Sequence, residues 1–146
     1  MTGVGGEGPG LERFVAAQAG TYEAALSELR AGRKTTHWMW FIFPQLRGLG
    51  RSAMAERYGV SSLGEARRYL EHEVLGPRLL ECTGAVLAVE GRTAAQIFGY
   101  PDDRKFHSSM TLFDRAGPGN GEFGAALAKY FEGRPDPLTV GLLEER

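Results

Sequence analysis

His37-Trp38-Met39-Trp40-Phe41-Ile42-Phe43-Pro44-Gln45 is the stretch on which the fold turns. From His37 to Phe43 it is apolar on almost every side, and it stops at Pro44. Period alone does not separate a short buried strand from a short buried helix in such a run. Its neighbours decide. On both sides apolar residues recur at helical spacing, so the reading is a short helix, with a strand as the alternative.

Towards the N-terminus, Leu11, Phe14 and Val15, then Tyr22, Ala25, Leu26 and Leu29, fall three and four residues apart. Gly20-Thr21 interrupts the run. Thr21 is a good N-cap for the second segment and Gly32 a good C-terminal stop. Beyond the central stretch, residues 45–51 form a glycine-punctuated loop, and Ser52 caps a helix that Gly59 ends. Ser62-Leu63-Gly64-Glu65 has the form of a capping box. It opens a helix carrying Ala66 and Tyr69. Glu73 to Val89 reads as the longest helix, Thr93 caps a short turn, and Asp102 or Asp103 caps a helix through Phe113. Gly117-Pro118-Gly119-Asn120-Gly121 is a loop. Two more helices cover 122–132 and 137–143. No stretch alternates apolar and polar residues as a half-buried strand does. The expected fold is all-α: a compact multihelical single domain, residues 11–146, with several short helices. Residues 1–10 hold five glycines and no apolar core, and read as a disordered leader.

Composition narrows the function classes. The 146 residues carry 17 basic and 18 acidic side chains, a net charge of −1. Phosphate-neutralising nucleic-acid binders usually show a basic excess, so nucleic acid is disfavoured as a partner. No run approaches the roughly 20 apolar residues of a membrane span. The one cysteine, Cys82, cannot form an internal disulfide, and its apolar neighbours favour a buried inert thiol. The compartment expected is the cytoplasm. The histidines, His37, His72 and His107, lack metal-ligand spacing, and no nucleotide or cofactor fingerprint occurs, so neither metal nor cofactor is expected. No motif assigns a reaction. His72 reads as exposed, and Glu81 and Glu90 as helix residues without a partner.

Three stretches can carry chemistry. In the first, four aromatic residues and one histidine fall within seven positions. They make either a core helix or a pocket wall in which Trp38 and Trp40 stack a flat ring and His37 and Gln45 give polar ends. In the second, Gly48, Gly50, Arg51 and Ser52 lead into a helix start, where backbone amides attract anions; an ordinary capped loop has the same sequence. In the third, Asp102, Asp103, Lys105 and Ser109 can face one cavity and hold an anionic or sugar ligand, or form a structural hydrogen-bond network.

These stretches together resemble the bacterial family known as domain of unknown function 1810. Leu75-Gly76-Pro77-Arg78-Leu79, Ile97-Phe98-Gly99, Pro101-Asp102-Asp103-Arg104-Lys105 and Ser108-Ser109-Met110-Thr111-Leu112-Phe113 add to the likeness, which runs from about Leu11 to Leu143. The resemblance implies a compact, mainly helical domain and no activity. Some members carry the label calpastatin. Inhibitors of that kind are largely disordered and polar, whereas this chain has the composition of a full hydrophobic core.

Two functions stay open. One is a pocket for an anionic small molecule, nucleotide or ADP-ribose-like. There Trp38 or Trp40 stacks the base, Arg51 and the amides near Ser52 hold phosphate, Asp102 or Asp103 meets ribose hydroxyls or acts as acid–base, and His37 orients the ligand. The other is a protein-interaction or homo-oligomeric module without chemistry. A concave site gathering His37, Trp40, Lys105 and Ser109 favours the first; dispersal favours the second.

Overall fold

A computed structural model describes residues 10–145. The expected leader, apart from Gly10, lies outside them. Ten helices follow in order: α1 (Glu12–Gln18), α2 (Tyr22–Arg30), α3 (Met39–Ile42), α4 (Ala53–Tyr58), α5 (Leu63–Glu71), α6 (Leu75–Ala88), α7 (Ala94–Phe98), α8 (Asp102–Ala116), α9 (Gly121–Phe131) and α10 (Pro137–Glu145). No strand occurs among the described residues; a lone parallel bridge pairs Leu46 with Val60. The all-α architecture is as the sequence implies.

The deciding stretch is a helix of a single turn. Pro44 explains why. A residue before proline is pushed out of the α region, and Phe43 stands at φ −124°, ψ 77°. α8 lies at the centre, against α5, α7, α9 and α10. Its Phe106, Met110 and Phe113 are fully buried. An aromatic chain runs from Phe98 to Phe106 (4.6 Å between ring centroids), on to Phe43 (5.0 Å) and to Trp38 (6.4 Å). It ties α7 and α8 to the short central helix.

Several helix ends differ from expectation. α8, with 15 residues, is longer than α6, with 14. The boundary residue of α8 is Pro101, not Asp102 or Asp103. Its first amides are met by backbone, Asp103 N–H donating to the Gly99 carbonyl and Lys105 N–H to that of Pro101, which frees the acids for other partners. The box at Ser62 is half made. Ser62 Oγ accepts from Glu65 N–H, but the Glu65 carboxylate turns to Ser61 N–H (2.7 Å) and Arg13 (3.3 Å). A complete box stands at Thr93 and Gln96 instead. His72 is half-buried, and its Nδ1 accepts from Val74 and Leu75 N–H at the start of α6. Glu81 accepts from the Tyr22 hydroxyl and meets Arg30, while Glu90 lies beyond α6. Where α5 meets α6, a Cβ on Gly76 would stand 2.1 Å from the Leu70 carbonyl oxygen, so only glycine permits that close approach. Cys82 is buried, as its neighbours imply, and burial pushes its thiol up to about 12.

Candidate functional site

The segment between α2 and α3 is organised by one carboxylate. Glu28 accepts from the amides of Thr35 (2.8 Å) and Thr36 (3.0 Å), from the Thr36 hydroxyl and from the Trp38 indole N–H (2.9 Å). Burial opposes its ionisation, but these donors outweigh burial and hold its carboxyl at about 2. A carboxyl depressed on folding gives stability that is full above its unfolded pKa and lost as pH falls through its folded one. The stabilisation by Glu28 is therefore lost between about pH 4.5 and about pH 2. Urea unfolding of the wild type and of Glu28→Gln should show their gap closing across that window; a gap independent of pH would contradict it.

Trp38, thus anchored, is 0% exposed. It belongs to the core, with Lys34 Nζ 5.0 Å from its ring centroid. Trp40 is only half-buried and carries Lys105 Nζ over its ring at 4.7 Å. Between the two lysines lies Asp102. One carboxylate oxygen is 2.8 Å from Lys34 Nζ, the other 3.4 Å from Lys105 Nζ. Asp102 thus fixes where the Lys105 ammonium stands.

Lys105 faces a cleft of about 610 Å³. One wall is the loop after α3, with Gln45, Leu49 and Gly50. The second is the start of α8, with Pro101, Arg104, Lys105, His107 and Ser108. The third is the segment from Phe131 to Leu138, including Asp136 and Pro137. Asp136 is committed to structure: its Oδ2 accepts from Ser108 Oγ (3.0 Å), Thr139 N–H (3.1 Å) and the Thr139 hydroxyl (2.6 Å), capping α10. The His107 ring stacks on Phe131 at 4.0 Å, and its Nε2 lies 2.7 Å from the Arg134 carbonyl oxygen. A carbonyl only accepts, so Nε2 carries the proton. Two groups are left over. Arg104 has no carboxylate partner among the described residues, its guanidinium lying over the Tyr100 ring. The Gln45 side-chain amide likewise has no hydrogen bond within the described chain.

The residues picked from sequence do not all meet. Gln45, Gly50 and Lys105 line the cleft, and Trp40 shares with Gln45 and Gly50 a small void of about 10 Å³ beside it, room for about one water. His37 is exposed and lines neither space. Gly48 has φ +108°, a backbone need that glycine meets, and a Cβ on Gly50 would stand 2.8 Å from that of Ala55. Arg51 is exposed, and Ser52 caps α4 by accepting from Ala55 N–H. Those features are what a capped loop requires. Asp103 is half-buried with one carboxylate oxygen unpartnered, and Ser109 is fully buried with its hydroxyl unpartnered. Arg104, Phe131 and Leu138 were not singled out by sequence reading. Arg104 had a visible signal, its place beside Lys105; Phe131 and Leu138 had none, since only the fold brings their segment to α8.

Among the described residues no three His, Cys, Asp or Glu side chains gather as a metal site, and no helix is long and apolar enough to cross a membrane. No curated relative matches the chain. A solved structure, the conserved hypothetical protein Rv1873 from Mycobacterium tuberculosis, is similar at 61% identity and a TM-score of 0.90, over 91% of this chain and 95% of that one. Residues 9–143 match the family model described as Protein of unknown function (DUF1810). That match spans every helix except the last residues of α10, so the chain belongs to the DUF1810 family.

Proposed function

We propose that the chain binds a small organic anion in the cleft between the 45–50 loop and the start of α8. One observation carries this reading: a cation without a carboxylate partner, Arg104, and an amide without a hydrogen bond, Gln45, converge on one concave space beside Lys105. Arg104 is exposed and Gln45 half-buried, so both are open to a ligand that enters the cleft. The volume of about 610 Å³ suits a small ligand. A nucleotide or ADP-ribose-like molecule is the larger form of such an anion. Its phosphates would meet Arg104 and Lys105, and Phe131 would be the ring nearest its base. A soluble ligand of this kind and a buried unpaired thiol both suit the cytoplasm. The interaction-module reading is supported by the dispersal of His37, Trp40 and Ser109, none of which lines the cleft with Lys105, and by the exposed Tyr100 and Leu138.

A thermal-shift screen with phosphate, sugar phosphates, nucleotides, NAD and ADP-ribose tests the proposal. A ligand at 100 times its Kd stabilises by about 2.7 kcal/mol. Arg104→Ala should weaken the best ligand at least tenfold, about 1.4 kcal/mol. Unchanged affinity in that variant would remove the site from this cleft.

A further inference from the structure

The cleft continues beyond Leu138. Leu49, Pro137 and Leu138 also wall a second hollow of about 280 Å³, which follows α10 past Gly141 and Leu142 to Glu145. The two hollows share these three residues and make one groove with a gradient along it. Arg104 and Lys105 stand at one end, where the Asp136 carboxylate is taken up by Ser108 and Thr139, apolar side chains lie in the middle and the Glu145 carboxylate is at the other end. Leu138, at the waist, is 71% exposed, a large apolar side chain left in water. Gly141 lies inside a helix, where glycine is the poorest former after proline. Nothing stands within 4 Å of where its Cβ would be, so packing does not demand glycine there. Its effect is to leave the groove floor open.

We infer that the groove takes an elongated amphiphilic anion: an alkyl or acyl chain ending in a phosphate, bound as a single free molecule. The inference rests on the anion site proposed above and names the rest of the ligand. The head lies at Arg104 and Lys105. The chain runs over Leu49 and Leu138 and across Gly141. Glu145 repels a head placed the other way round, which sets the direction.

The test is calorimetric titration of the full chain with inorganic phosphate, butyl phosphate, octyl phosphate below its aggregation concentration, and octanol. Affinity should rise about two- to fourfold per methylene buried, and octyl phosphate should bind at least tenfold tighter than octanol. Gly141→Leu should abolish the gain with chain length and leave the binding of inorganic phosphate unchanged. The variant should fold, because leucine is the better helix former and meets open space. Phosphate binding without any dependence on chain length overturns this inference and leaves the anion site standing. No binding by any phosphate removes both. Octanol equal to octyl phosphate overturns the charged end. Binding only to vesicles of anionic lipid, or a dimer lost in Gly141→Leu without response to any alkyl phosphate, gives the groove to a membrane surface or a second copy and overturns the inference too.

Discussion

Trp38→Ala should lower the stability of the fold by about 3–5 kcal/mol, the range for a large aromatic removed from a core. For a chain of this length that is roughly a 10–15 °C fall in Tm. Trp38 is fully buried, with Phe43 beside it and the Lys34 ammonium over its ring. Its loss opens a cavity at the head of the aromatic chain and takes the indole donor from Glu28. Trp38→Phe separates the two effects. It keeps most of the packing and loses the donor, so about 1–2 kcal/mol should go. Trp40 is half-exposed, so its truncation should cost less than that of Trp38. Melting of Trp38→Ala within 3 °C or so of the wild type would refute its place in the core.

The two tryptophans show where sequence stops being informative. Helix ends are local events, and Gly32, Pro44, Ser52, Ser62 and Thr93 announced them with the chemistry of their own few neighbours. Which tryptophan turns inward is not local. In a helix of one turn, Trp38 sits at the N-cap and Trp40 inside, and distant partners tell them apart, Glu28 on α2 for Trp38 and Lys105 on α8 for Trp40. The same holds for Asp102 and Asp103. Acids at a helix start are usually capping groups, and the pattern gave no sign that Lys34 would claim one of them. The cleft was legible where one segment supplied it, in Lys105 and Gln45. It was illegible where three segments had to meet: Ser108 reaches Asp136 28 positions on.

Arg13 is the residue most hidden from the sequence and the second whose loss should cost most. It sits on α1 among apolar residues, yet its side chain and that of Glu65 are each 5% exposed, with Nη1 3.3 Å from the carboxylate. The guanidinium also donates to the carbonyls of Gly10 (2.8 Å), Arg57 (2.8 Å) and Gly59 (2.9 Å) and lies 4.3 Å from the Phe14 ring centroid. Arg13→Ala leaves a buried carboxylate and three carbonyls without those donors, and should cost about 3–5 kcal/mol in chemical denaturation. Arg13→Lys should recover only part, because one ammonium cannot reproduce a planar fork. The consequence reaches the cleft. Gly59 precedes Val60, whose N–H donates to the Gln45 carbonyl (2.8 Å) and whose carbonyl accepts from Arg47 N–H (2.7 Å). Arg13 therefore braces, through Gly59 and Val60, the backbone that carries Gln45 and Arg47. Arg13→Lys, where it still folds, should weaken anion binding though it touches no part of the cleft. Stability of Arg13→Ala within about 1 kcal/mol of the wild type would show that the buried pair is not what holds α1 to the 57–60 segment.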